Sequence, residues 1–136
     1  KESKQLSKNG KVMVSYWTLP DHRENLLYRA AYYNHPCSKW VQASKDHYIW
    51  LLELWNHLNR EYTNRYNKVH KSYRKLVQNL NQLPNNIDNA GFKMPPQCMP
   101  DDCKIKNNTV EAYQKYYKAH KREFATWKNS IPLWFN

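Results

Sequence analysis

Four side chains in this sequence could hold a metal ion: His35, Cys37, Cys98 and Cys103, three thiols and an imidazole. Their spacing argues against it. Four residues separate Cys98 from Cys103, and His35 with Cys37 is not a common zinc knuckle, so the cysteines read as structural and no metal or cofactor is expected. Three cysteines cannot form a full disulfide framework, which favours a reducing compartment. For acid–base chemistry there are Glu24, Glu53, Glu61, Glu111 and six histidines, with no Ser-His-Asp order and no paired carboxylates. Glu24, beside Arg23 and near His22, is a weak catalytic candidate that a helix-capping role explains equally well. His35, in the rigid corner Asn34-His35-Pro36 with Trp40, is the other, against a hydrogen-bonded structural role.

Cations interleaved with rings carry more weight. The chain has 22 Lys+Arg against 11 Asp+Glu, and 11 Tyr with 6 Trp. Clustered charge makes a binding surface; dispersed charge does not. Residues 12–59 balance, whereas residues 60–75 hold Arg60, Arg65, Lys68, Lys71, Arg74 and Lys75 against Glu61 alone. Residues 104–136 hold seven cations against Glu111 and Glu123, and residues 1–11 four lysines against Glu2. A polyanion is the implied partner. Candidate nucleic-acid contacts are Arg60, Arg65, Lys68, His70, Lys71, Arg74, Lys115, Tyr116, Lys118, Lys121 and Arg122. The lysines and arginines would reach phosphates, and an exposed ring would stack on an unpaired base. Tyr113 and Tyr117 fall on the apolar stripe and read as core. Tyr116 lies off it and reads as the contact.

The elements that must position these groups are mainly helical: a compact single-domain bundle of four to five helices over residues 1–136. Residues 1–19 read as an extended arm with a short strand near Val12–Trp17. A capping box at Asp21 and Glu24 opens a helix that runs to about Tyr33 and stops before Pro36. A short helical turn spans Ser38–Ala43. Ser44 then caps the strongest helix, with Tyr48, Leu51, Leu52, Trp55, Leu58, Tyr62 and Tyr66 at three- and four-residue spacing. Another helix follows over His70–Gln82. Residues 83–108, rich in proline, form a long loop of the kind that is usually functional or mobile. Asn108 and Glu111 cap the last helix, whose apolar side reads Val110, Tyr113, Tyr117, His120, Phe124 and Trp127. The apolar C-terminus, Ile131–Phe135, is expected to dock back. Two glycines, Gly10 and Gly91, cannot build a phosphate-cradling loop or a GxGxxG turn. No apolar run is long enough to span a bilayer, so no membrane partner is expected.

The pattern Asn34-His35-Pro36-Cys37…Trp40, Tyr48…Trp50-Leu51, Glu61-Tyr62-Thr63…Arg65-Tyr66…Lys68…His70-Lys71-Ser72, Met99-Pro100-Asp101, Tyr113…Tyr116-Tyr117…Lys121 and Trp127-Lys128 resembles a family of phage-encoded proteins grouped with pyrimidine-dimer DNA glycosylases. A more distant similarity, through Gln114-Lys115-Tyr116-Tyr117 and Lys118, points to the T-even phage endonuclease V class. The resemblance implies a DNA-repair function, glycosylase with abasic-site lyase activity. It also implies a location in the infected host cytoplasm or on the virion. That chemistry uses an N-terminal α-amine as Schiff-base nucleophile and a Glu on an early helix. Such proteins carry a further helical segment, with an Asp-Lys-His run, ahead of the point matching Lys1. The expectation is that this chain supplies the DNA-facing half. The alternative is a non-catalytic nucleic-acid-binding or virion-associated phage protein with the same fold.

Overall fold

The computed structural model describes residues 1–128 and 130–136. The protein is mainly helical, with five α-helices and one two-stranded sheet among the described residues. Residues 1–19 do not extend away as an arm but fold on themselves. Strand β1 (Glu2–Leu6) pairs antiparallel with β2 (Met13–Trp17), in a register that sets Glu2 opposite Trp17 and Leu6 opposite Met13. Gly10 makes the turn at φ 70°, a left-handed conformation that costs glycine nothing. Trp17 stacks on Tyr33 with centroids 4.6 Å apart, which ties the hairpin to the segment before α2.

Helix α1 is only Arg23–Leu26. The helix expected to reach Tyr33 ends early because residues 28–33 are exposed, with no face to bury, and a short helix gains its stability from packing. Helix α2 (Pro36–Gln42) starts on Pro36, with His35 as N-cap. Helix α3 (Lys45–Tyr66) is the spine. The Ser44 hydroxyl accepts from the Asp46 N–H at its start, and Asn67 closes it in a left-handed conformation at φ 51°. Helix α4 (Lys71–Leu80) folds back antiparallel to α3: Tyr48 donates to the Leu80 carbonyl at 2.6 Å, and Tyr73 donates to Asn56 Oδ1 at 2.9 Å.

Helix α5 (Thr109–His120) opens with a reciprocal cap, Asn108 Oδ1 accepting from the Glu111 N–H while Asn108 Nδ2 donates to the Glu111 carboxylate. It ends at His120, and 3-10 turns follow at Arg122–Phe124 and Leu133–Phe135. The C-terminus docks in part, with Phe135 buried against Trp127, whereas Ile131 and Leu133 are exposed. The inward face of α5 differs from the expected one. Thr109 and Ala112 are buried, and Tyr113 and Tyr116 pack on a small core of Met99, Cys103 and Ala112, whereas Val110, Tyr117 and Phe124 are exposed. The i, i+3, i+4, i+7 spacing is obeyed, but from Thr109 and not from Val110. The size of Val110 and Phe124 disguised the true face.

The long loop is held in place at many points. His47, 3% exposed, stacks on Trp40 at 4.3 Å and spans two elements: Nδ1–H donates to the Trp40 carbonyl at 2.7 Å and Nε2 accepts from the Lys93 N–H at 2.8 Å. Trp40 Nε1 donates to the Lys93 carbonyl at 2.8 Å, so both backbone groups of Lys93 are gripped. Gln97 does the same for Ile105, accepting from its N–H and donating to its carbonyl. The core is nonetheless thin. Total accessible surface is 10977 Å², against about 7,500 Å² for a packed chain of this mass. Among the described residues, no helix is long and apolar enough to cross a membrane.

Candidate nucleic-acid interface

The cations of residues 60–75 lie where α3 ends and α4 begins. Arg60, Lys68, Lys71 and Arg74 are exposed and have no carboxylate partner among the described residues. Arg65 is committed to the fold: Nε donates to Glu61 at 2.6 Å and Nη1 to the Thr126 carbonyl at 3.3 Å. His70 is structural too, since Nδ1 caps α4 by accepting from the Ser72 N–H and its ring meets Tyr62 edge-on at 4.8 Å. Lys75 lies over the Tyr28 ring at 4.6 Å. Helix α4 has no acid in its first turn, and Lys71 and Arg74 occupy that turn. Two cations there oppose the positive end of the helix dipole and cost the fold about 0.3–1 kcal/mol each. Folding alone does not account for them.

The C-terminal cations are mostly engaged within the molecule. Lys115 donates to the Asp102 carbonyl and Lys118 to the Asn136 carbonyl at 2.8 Å. Lys121 sits over the Tyr116 and Phe124 rings, and Arg122 over Phe135 at 5.4 Å. Tyr116 is half-buried on the core and covered by Lys121, while Tyr117, read from sequence as core, is 46% exposed. The two basic stretches meet at one point. Lys128 Nζ donates to the carbonyls of Asn64 and Arg65, both at 3.0 Å, capping α3 where Arg65 reaches Thr126.

An apolar groove of about 790 Å³ opens between α2, α3, the loop at Met94–Pro95, α5 and the C-terminal segment, and Trp127 links it to that junction. Trp50, Leu54, Tyr117, Trp127 and Trp134 line it, and Trp127 adjoins Lys128 in the chain. Tyr117 and Trp134 meet edge-on at 6.3 Å. Such walls accept a flat aromatic group by stacking.

Both catalytic candidates are occupied. The Glu24 carboxylate accepts from the Leu19 N–H at 2.7 Å, and His35 Nδ1 accepts from the Cys37 N–H at 3.2 Å. Asp21, close by, is held at about 2 by its hydrogen bonds with Arg23. The four-donor set does not assemble as a unit. His35, Cys37 and Cys98 come together, whereas Cys103 lies buried beside Asp102 and His120. Burial, with the Cys98 thiol 3.5 Å away, pushes the Cys37 thiol up to about 11, so the free thiol is no activated nucleophile. The His120 hydrogen bond holds Asp102 below its ordinary value.

Sequence reasoning missed His47, Lys128 and the ring-lined groove. A histidine or lysine in a helical or basic stretch gives no local sign that a distant backbone group will take it up. The groove is assembled from five separate segments. Comparisons with family models, with curated proteins and with solved structures give no match to this chain.

Proposed function

We propose that this protein binds a nucleic-acid backbone, DNA in the first instance, with Arg60, Lys68, Lys71 and Arg74 on the phosphates. One observation carries the reading: four exposed cations with no carboxylate partner among the described residues lie in the segment that leads into and opens α4, whose dipole opposes two of them. A phosphate there would relieve the repulsion and compete with His70 Nδ1 for the N–H groups of the first turn of α4. The aromatic groove beyond Trp127 supports the same reading, since an unstacked base enters such a slot at about 1–3 kcal/mol of stacking per base. Glycosylase and abasic-site lyase chemistry, as the family resemblance implies, is the activity proposed at that surface. The alternative is binding without chemistry, which the occupied Glu24 carboxylate and His35 ring support.

Fluorescence anisotropy with a labelled duplex, repeated across a salt series, tests the binding. Four phosphate contacts give a slope of log K against log[salt] of about −3.5. No binding at low salt would reject the proposal. Borohydride trapping on abasic and dimer-containing duplex separates the two forms: a covalent adduct establishes the lyase, and salt-dependent binding with neither adduct nor nick establishes the non-catalytic form.

A further inference from the structure

We propose that His35, Cys37 and Cys98 form a zinc site. The three donors lie within 4.8 Å of one another, and the two sulfurs are 3.5 Å apart. A tetrahedral zinc with bonds of about 2.3 Å to sulfur and about 2.0 Å to nitrogen needs sulfurs about 3.8 Å apart and the imidazole nitrogen about 3.6 Å from each, so the sulfur pair opens by a few tenths of an ångström and the imidazole settles toward it. Two thiolates and an imidazole are a soft set that selects zinc over magnesium or calcium. Packing brings the donors together across 61 positions of the chain. Cys37 is held in the first turn of α2. Cys98 is held in the loop, where Gln97 is clamped to Ile105 and the Cys98 N–H points to the Tyr113 hydroxyl at 3.5 Å. Cys103, buried beside Asp102, belongs to a different cluster and is not a ligand.

The fourth position falls to water. Cys37 also lines the aromatic groove, so a metal there stands at its edge. His35 sets the cost of binding. A neutral imidazole has one lone pair, and that pair now accepts the Cys37 N–H at 3.2 Å. Zinc takes the pair from the α2 cap, and the two thiols release their protons as they ligate. The inference stands independently of nucleic-acid binding.

The test is a cobalt titration of the reduced, metal-free full chain. One equivalent of Co²⁺ should produce a thiolate-to-cobalt charge-transfer band in the near ultraviolet, which one equivalent of Zn²⁺ abolishes. Cys98→Ser should remove the band and Cys103→Ser should leave it, with circular dichroism confirming that both variants fold. On the wild-type chain, which needs no variant to fold, zinc should shift the Cys37 amide resonance as the cap is released. Absence of the band in the wild type, its survival in Cys98→Ser or its loss in Cys103→Ser overturns the proposal. So does a Cys37–Cys98 disulfide in protein purified without reductant that, once reduced, takes up no zinc.

Discussion

His47→Ala lowers the stability of this chain by about 3 kcal/mol, because it orphans the Lys93 N–H and leaves a cavity beside Trp40. The residue is buried, stacked at 4.3 Å and bonded at both ring nitrogens, so nothing nearby can replace it. His47→Phe separates the two contributions. It keeps a ring against Trp40 but loses both hydrogen bonds, and should cost about 2 kcal/mol. Urea denaturation measures both, and limited proteolysis of residues 83–108 should accelerate in both. Equal stability for His47→Ala and wild type would mean that the loop is held by its other ties alone.

The double variant Lys71→Ala/Arg74→Ala should weaken duplex binding roughly tenfold to a hundredfold at low salt and make the salt slope shallower by about 2. Its thermal behaviour makes the test discriminating. Both cations sit in the first turn of α4, so removing them should leave the melting temperature unchanged or raise it slightly. Residues kept for packing would show the reverse, lower stability with an unchanged slope. Arg65→Ala provides that contrast, since it breaks the ties to Glu61 and Thr126. It should destabilise the fold by about 1 kcal/mol or more while moving the slope less than the double variant does.

The helices legible in the sequence were those whose caps and spacing agree. Ser44 and Asn108 mark the starts of α3 and α5, and the charge-rich turn between α3 and α4 falls where the pattern puts it. What was not legible depends on partners far along the chain. Strand β1 has one apolar residue, Leu6, in five and exists because β2 pairs with it. Helix α1 has good local signals but nothing to pack on beyond Leu26. On α5 two apolar stripes compete, and Ala112 wins the core over Val110 because the loop carrying Met99 and Cys103 approaches that side. Among the candidate contacts, hydrogen bonding and not exposure separates Arg60, Lys68, Lys71 and Arg74 from Arg65, His70, Lys115 and Lys118, whose hydrogen bonds are spent on the fold. Charge density located the region; only coordinates could tell a free cation from a committed one.

The large accessible surface has a thermodynamic signature of its own. Set against an extended reference, this chain withdraws about a fifth less area from water on folding than its mass allows. Heat-capacity increment and denaturant sensitivity both scale with that area. The stability curve of the isolated chain is therefore broad and shallow, and any ligand filling the groove steepens it.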